Sequence, residues 1–478
     1  MACLFLCVSY SIKANDLTLD GNNEKAYKHV LNLEVEEART LLQDPKTIAD
    51  FYILSLAESL ELLVTEDASV FDVYEDRFES RLDKKIKGTE AAHQFLQAEM
   101  RLQWAFVYLK FGHEFDAALS LREAYKIAEE CQKKYPSYLP ILKTMGLLEV
   151  IVGAVPEKYN WVLSLMGLKG SIANGLHDLS TLKESDSPLA FEADLLHALI
   201  QGFIFQKPEA ALNEVKFLLD KRTDNRLLNF LGGALYLKNS DSELANILLT
   251  RVSQSRKGIP VYYADYLIGE TLLHKADYAR AISSYKWFIR NYKGQNYIKD
   301  AYYKIALCNW LAGNKSEALM AFQEAKIKGK ESSEADKYAA RSLADNELPH
   351  VKLSKVRYST DGGYYAEAQQ QLISITEAEI PSQRDKTEYR YRKARLAHKQ
   401  NQLDSAKAFY KQTIEVAGNE PWYFAPNSCL QLGYIAMSEN RLEDAKSHFK
   451  RTLEYKKHEY KNSIDAKAKS ALAQIPRK

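Results

Sequence analysis

The residue types that usually carry catalysis or bind metals are present, but their spacing suits neither chemistry. Ten histidines are dispersed through 478 residues, and His113-Glu114 has no second histidine four residues later, as a helical zinc site needs. The stretch Gly167-Leu168-Lys169-Gly170-Ser171 lacks the spacing of a phosphate-binding loop. There is no Gly-x-Ser-x-Gly motif and no convincing Cys–His pair. The sequence therefore predicts no enzyme, no metal site and no cofactor.

The charge of the chain is almost balanced. Its 65 Lys and Arg residues face 63 Asp and Glu residues, which gives a net charge of +2. The basic clusters Lys84-Lys85-Lys87 and Lys456-Lys457, with Lys461, are short and have acidic residues nearby. Because nucleic-acid binding usually needs a concentrated basic surface, the sequence predicts that the chain does not bind nucleic acid.

The composition favours helices around a large core. Hydrophobic residues make up 46% of the chain, whereas Pro and Gly, which punctuate loops and strands, number only 12 and 20. Three cysteines beyond the N-terminal segment, Cys131, Cys308 and Cys429, fall in helical stretches. We expect them to be small buried hydrophobes rather than a disulfide set.

Residues 1–14 resemble part of a secretory signal. Their apolar run ends with Ile12 and Ala14 at the −3 and −1 places of a cleavage site before Asn15, but a basic start is missing. One interpretation is a signal peptide that begins upstream of Met1, and the chain would then be exported to the periplasm or secreted. The other is an uncleaved helix start on a cytoplasmic protein.

An internal repeat dominates the sequence. A small residue on one helix, Gly433, is followed twelve positions later by Ala445 and four positions after that by Phe449. Two antiparallel helices can approach closely only where their side chains are small, and the aromatic residue one turn later fills the space toward the next pair. The same spacing recurs in Gly233-Ala245-Leu249, Gly269-Ala281-Tyr285, Ala306-Ala318-Phe322, Ala394-Ala406-Tyr410 and, earlier, Ala105-Ala117-Leu121, whereas Ala368 and Leu372 fit only the second half.

This pattern resembles the tetratricopeptide repeat, whose signature places a Leu-Gly, an aromatic residue and alanines at these offsets. The resemblance implies an all-α fold, a right-handed superhelix of antiparallel helical hairpins, over residues 188–478. Residues 330–363 do not form a clean repeat, and the sequence predicts an irregular connection near residues 347–363. That segment is either a longer connection or an irregular helical pair.

Residues 15–145 are predicted to be helical without regular repeats. Ile48 to Val64 is apolar nearly all round, which indicates a buried helix. Glu66 to Lys87 is charged and is typical of a helix edge or a connecting loop. Thr89 to Phe111 and Glu114 to Lys134 form the early hairpin.

Residues 146–187 form a hydrophobic segment with its own character. An apolar helix leads into Val155-Pro156, Trp161, a Leu-rich run and a Gly-rich bend. This order is similar to a segment of the inclusion-body-clearance and tetratricopeptide-thirty-nine family, although Leu168 and Ser171 replace the Phe and Asp of that family. The resemblance implies a repeat protein linked to lipid handling and aggregate clearance. Residues 146–176 could plug the core, or could bind a membrane surface or a partner.

A stack of helical hairpins presents a concave surface lined mainly by the first helix of each pair. An aromatic-lined groove suits an extended peptide or a helix, so the sequence predicts a non-catalytic scaffold for a protein or peptide partner. A lipid- or membrane-surface protein that uses residues 146–176 is the alternative. The predicted partner-binding residues are Phe230, Tyr263, Tyr266, Tyr303, Trp310, Tyr391, Arg395 and Tyr434. Each of the tyrosines could instead pack between repeats.

Overall fold

The computed structural model describes residues 17–155, 163–164, 166–204, 208–344 and 346–475. The predicted signal segment 1–14, and Pro156 and Trp161 of the hydrophobic segment, lie outside these residues. Within the described ranges all regular structure is helical and there is no strand, which confirms the all-α prediction. No helix in those ranges is long and apolar enough to cross a membrane. The chain divides into two compact units.

The first unit contains the described residues up to 155, those between 163 and 197, and residues 257–259. Its helices begin with α1 to α4, and a short 3-10 turn at Ala68–Val70 precedes α4. Their bounds are α1 Gly21–Leu31, α2 Val35–Leu41, α3 Ile48–Thr65, α4 Phe71–Leu82, α5 Glu90–Phe111, α6 Glu114–Lys134, α7 Ile141–Ala154 and α8 Ile172–Lys183. The next helix, α9 (Ala190–Phe203), starts in this unit and continues into the second.

The predicted buried helix of the N-terminal half corresponds to α3, and the predicted early hairpin corresponds to α5 and α6. Helix α3 buries most of its residues, and α5 and α6 pair with each other. The segment described above as a helix edge or a loop contains α4, which packs against the core through its aromatic residues. The ring of Phe78 stacks on that of the fully buried Trp104, with centroids 4.8 Å apart.

Glycines set the close packing of α7 on α8. A Cβ on Gly175 would lie 2.3 Å from the carbonyl oxygen of Gly146, and one on Gly170 would lie 2.4 Å from the amide nitrogen of Gly153. Only residues without a side chain fit at this crossing. Leu148 and Val152 of α7 are buried, so the described part of residues 146–176 packs into the first unit.

The second unit is a succession of helical pairs. It contains the described residues from 198 to 256 and from 260 to 475. Its helices are α10 Pro208–Lys221, α11 Arg226–Lys238, α12 Ser242–Gln254, α13 Tyr262–His274, α14 Tyr278–Asn291, α15 Ile298–Ala312, α16 Lys315–Ile327, α17 Glu334–Ala344, α18 Val351–Gly362, α19 Tyr365–Ile373, α20 Gln383–Lys399, α21 Leu403–Ala417, α22 Phe424–Ser438, α23 Leu442–Glu454 and α24 Lys461–Gln474. The pairs are α11/α12, α13/α14, α15/α16, α18/α19, α20/α21 and α22/α23.

The small residues lie where the helices of each pair cross, as the repeat predicts. The second-helix alanines are all fully buried, and these are Ala245, Ala281, Ala318, Ala368, Ala406 and Ala445. The turn within a pair uses a residue in the left-handed region, such as Ala276, Asn401 and Asn440. A short turn of this kind reverses the chain, so the two helices of a pair run antiparallel.

The irregular segment is a helical pair. Val351–Gly362 forms α18, Tyr365–Ile373 forms α19, and α17 packs on both helices of the preceding pair, α15 and α16. Gly363 in the α18/α19 turn has a φ of +90°, and a Cβ there would lie 2.2 Å from the carbonyl oxygen of Ser240. Only glycine satisfies both the backbone and the space at this turn.

Replacing Gly433 with valine should lower the free energy of unfolding by about 2–3 kcal/mol, because a Cβ at this position meets Phe449 at 2.4 Å. Chemical denaturation measures the loss. The double variant Gly433→Val and Phe449→Leu makes room at the crossing, so it should lose less than the sum of the two single changes. Strictly additive losses would show that the two residues do not set the crossing.

Candidate partner-binding surface

The first helices of the pairs in the second unit meet one another. Helix α18 contacts α13, α15 and α20, and α20 contacts α22. Because α18 comes from a later pair, it packs beside helices that lie about 50 to 90 residues earlier in the sequence. Charged and aromatic side chains from several pairs are therefore brought together on the face formed by these first helices.

The part of this face formed by α13 and α15 is closed. The Nζ of Lys304 lies 2.6 and 2.7 Å from the two carboxylate oxygens of Glu270, and the Oη of Tyr266 donates to Asp300 at 2.6 Å. The chain itself covers these groups. Trp310 donates its Nε1–H to the carbonyl of Pro349 at 2.8 Å, and the ring of Tyr358 lies 5.8 Å from the Lys304 ammonium.

The predicted partner-binding residues differ in accessibility. Three of them, Tyr266, Tyr303 and Tyr391, are buried, with 4%, 3% and 2% of their surface exposed. The others are half-buried, namely Phe230, Tyr263, Trp310, Arg395 and Tyr434. The rings of Phe230 and Tyr263 meet edge to face at 6.2 Å, and Tyr434 meets Phe449 at 5.4 Å. The role of these eight residues in binding stays a prediction.

A different set of side chains remains partly open, and we refer to it as the Arg–Tyr cluster. It consists of Tyr338 (α17), Arg357, Tyr358 and Asp361 (α18), Glu388, Arg392, Arg395 and Lys399 (α20), Tyr423 (just before α22), Tyr460 (just before α24) and Lys467 (α24). Arg357 donates to the Oη of Tyr338 at 3.1 Å and lies 5.3 Å from the ring centroid of Tyr358. Tyr338 stacks on Tyr460 at 5.4 Å, so arginine and aromatic planes alternate.

Two further contacts extend the Arg–Tyr cluster. Arg392 donates to Glu388 and, at 3.1 Å, to the Oη of Tyr423. Asp361 lies between two arginines, 3.6 Å from Arg395 and 3.8 Å from Arg357. These last distances are too long for direct hydrogen bonds, so Asp361 neutralises the two guanidinium groups only in part.

Positive charge exceeds negative charge in the Arg–Tyr cluster. Its two carboxylates face three arginines and two lysines. Partial loss of solvent around the side chains and the charge of Arg395 lower the pKa of both Lys399 and Lys467, although Lys467 still reaches the surface. Burial, with a contribution from Lys467, also lowers the pKa of Lys238 on α11 to about 8. Repulsion between neighbouring cations is the smaller cause of these shifts, and an anion placed among the cations would relieve it.

Part of the Arg–Tyr cluster has a signal in the sequence. Arg392, Arg395 and Lys399 are spaced three and four residues apart, which places them on one face of a helix. This basic stripe could have been found next to Arg395. Tyr338, Tyr460 and Lys467 could not, because contacts between distant helices bring them to the stripe.

His398 beside the Arg–Tyr cluster makes stability depend on pH. Burial and the charges of Arg395 and Lys399 lower its pKa to about 4, and its Nδ1 lies 3.2 Å from the Oη of Tyr410. Between pH 6.5 and 4 the unfolded chain binds the proton and the folded chain does not, so stability falls as the pH falls. We expect His398 to contribute a loss of about 1–2 kcal/mol between pH 7 and pH 5.

Chemical denaturation at the two pH values checks this expectation. The variant His398→Gln should lose less stability on acidification than the parent chain. The exposed His177 provides the matched control, since His177→Gln should leave the pH dependence unchanged. An equal loss in His398→Gln and the parent would contradict the assignment.

The second unit is thus an α-solenoid of antiparallel helical pairs that presents a mixed basic and aromatic face. Residues 266–335 and residues 387–420 match family models of the tetratricopeptide repeat. These two stretches of the second unit are tetratricopeptide repeats. The narrower resemblance to the inclusion-body-clearance and tetratricopeptide-thirty-nine family stays a prediction.

Other comparisons add no argument about function. No curated protein matches the chain. Among solved structures, it is similar to the human IFIT1 dimer with m7Gppp-AAAA at 12% identity, covering 92% of this chain and 96% of the other with a TM-score of 0.34. It is similar to Cut9 of the APC/C hetero-tetramer Cut9-Hcn1 at 12% identity, 96% and 97% coverage and a TM-score of 0.27. It is also similar to the structure of yeast Tom70 at 13% identity, covering 95% of this chain and 88% of the other with a TM-score of 0.26.

Proposed function

We propose that the chain is a non-catalytic scaffold that binds an acidic segment of a protein partner at the Arg–Tyr cluster. The observation that carries the proposal is the excess of cations among aromatic rings. Arg357 and Arg395 have 28% and 23% of their side-chain surface exposed, so both can reach a bound partner.

The chemistry of the Arg–Tyr cluster suits carboxylates. When the flat face of a guanidinium group stacks on a tyrosine ring, its N–H groups point outward from the edge of the guanidinium plane. There they can donate two hydrogen bonds to one carboxylate. The phenol groups of Tyr338 and Tyr460 add further polar contacts, and their rings add apolar area. Repeats of this superfamily generally act in protein interaction, which supports a protein partner.

Capture followed by surface mapping tests the proposal. The immobilised full chain is exposed to an extract of its own cells, the bound protein is identified, and hydrogen exchange of the purified complex is compared with that of the free chain. Protection should appear in α18, α20 and the start of α24. Protection confined to other helices would refute the proposed surface.

Membrane-surface binding through residues 146–176 is the second candidate. The burial of Leu148 and Val152 favours the scaffold, since these apolar side chains already pack inside the first unit. Flotation of the full chain with liposomes, followed by hydrogen exchange of the floated chain, separates the two functions. Flotation with protection of residues 146–176 would support the lipid function, and a chain that does not float would refute it.

We propose that the chain is exported, on the strength of residues 1–14 alone. Sequencing the N-terminus of the protein isolated from its cells tests this. A mature chain that starts at Asn15 supports export, and a chain that retains residues 1–14 argues for the cytoplasm.

A further inference from the structure

An open cavity of about 270 Å³ lies in the first unit, whereas the Arg–Tyr cluster belongs to the second. The loop before α3 and the helix α3 provide its apolar lining, which consists of Pro45, Phe51 and Leu54. Helix α4 and the residues after it provide the polar wall, which consists of Asp76, Arg77, Ser80, Arg81 and Lys84. The cavity therefore has one apolar side and one side rich in cations.

One of the three cations is already neutralised. Arg81 is buried, and both of its Nη atoms contact the carboxylate of Glu58, with Nη2 at 2.9 Å from Oε1. Glu58 is only 1% exposed, so this ion pair is a buried and fixed part of the polar side of the cavity. Because its charge is already paired, Arg81 supports the cavity wall and does not bind the ligand.

The other two cations are held less tightly. Arg77 shares the same Glu58 oxygen at 3.1 Å and leaves 48% of its side-chain surface exposed. The ammonium group of Lys84 lies 5.3 Å from the ring centroid of Phe51, and among the described residues it makes no ion pair. Asp76 is the single acidic residue in the lining. Arg77 and Lys84 thus place positive charge at the mouth, directly above apolar surface.

We propose that this cavity binds a carboxylate that carries one apolar group of the size of a leucine or phenylalanine side chain. The carboxylate lies between Arg77 and Lys84, and the apolar group lies against Phe51 and Leu54. The volume is just below the roughly 300–1,000 Å³ of sites for drug-sized ligands, so a single small group fills it. The C-terminal residue of a peptide and a free small acid share this chemistry.

Isothermal titration of the full chain with three probes tests the site. The probes are 3-phenylpropionate, acetyl-Gly-Gly-Phe with a free carboxylate, and the same peptide with a C-terminal amide. We expect both carboxylates to bind and the amide to bind about tenfold more weakly or not at all, since a charge-assisted hydrogen bond is lost. Tighter binding of the peptide acid than of phenylpropionate indicates a chain end, and the reverse indicates a free acid.

Two variants assign the binding to the cavity. Arg77→Gln with Lys84→Gln should weaken the carboxylates at least tenfold, and Lys84→Gln alone, which breaks no ion pair, should weaken them severalfold. The matched control is Lys85→Gln with Lys87→Gln, because these exposed lysines lie outside the cavity lining. Circular dichroism monitors folding.

The site is overturned by three results: no carboxylate binds, the amide binds equally well, or Lys84→Gln in a folded chain binds like the parent. Binding at this cavity is independent of the Arg–Tyr cluster. The cavity variants should therefore leave partner capture unchanged, so the two proposals can fail separately.

Discussion

Replacing Lys143 with methionine should lower the free energy of unfolding by about 3–5 kcal/mol. Lys143 is 3% exposed, and its Nζ lies 2.7 Å from Glu99 and 2.9 Å from Glu192. It also donates to the Oη of Tyr52 at 2.7 Å. Burial alone would lower the pKa of Lys143, but the two carboxylates outweigh burial and raise it. The methionine variant leaves two buried carboxylates without their cation, which is the costly arrangement.

Unfolding in urea measures this loss, and an exposed lysine provides the control. Lys133 pairs with Glu129 at 3.0 Å with 71% of its side chain exposed, so Lys133→Met should change stability by less than about 1 kcal/mol. The triple variant Lys143→Met, Glu99→Gln and Glu192→Gln removes all three charges and should recover part of the loss. A Lys143→Met variant as stable as Lys133→Met would show that the buried network is not needed.

The helical pairs could be predicted from the sequence because their cause is local. Gly433, Ala445 and Phe449 lie within 17 consecutive residues, and each pair repeats the same rule for close approach. The contact of Lys143 with Glu99 and Glu192 joins three helices separated by more than 40 residues on each side. No spacing in the sequence reports such a contact, so the network could only be found in the structure.

In the candidate site, too, local features could be predicted from the sequence and long-range contacts could not. The sequence places Tyr266 and Tyr303 on first helices, which is correct, but their accessibility depends on what packs over them. Helix α18, whose polar sequence gave no clear repeat, packs beside α13 and α15. Pro349, which lies two residues before α18, accepts a hydrogen bond from Trp310 through its carbonyl oxygen. The position of that pair follows from long-range packing, which periodicity does not encode.

The second large effect is expected in partner binding. The double variant Lys399→Gln and Lys467→Gln should weaken capture of an acidic partner about tenfold or more, because it removes two of the five cations of the Arg–Tyr cluster. The affinity of the parent chain should fall with added salt, and that of the variant should fall less steeply. Fluorescence anisotropy with a labelled acidic peptide from the captured protein measures both.

The same double variant should be as stable as the parent chain or more stable, and this combination separates a binding role from a structural one. Arg395 lies close enough to lower the pKa of both lysines, so neutralising them removes repulsion from the folded chain. Cations retained against mutual repulsion are expected where function needs them.

The exposed pair Lys450→Gln and Lys457→Gln makes the same change in net charge outside the Arg–Tyr cluster, and should leave binding nearly unaltered. Equal weakening by both double variants would mean that the partner responds to net charge alone, and a large fall in melting temperature of the first would mean that the lysines support the fold.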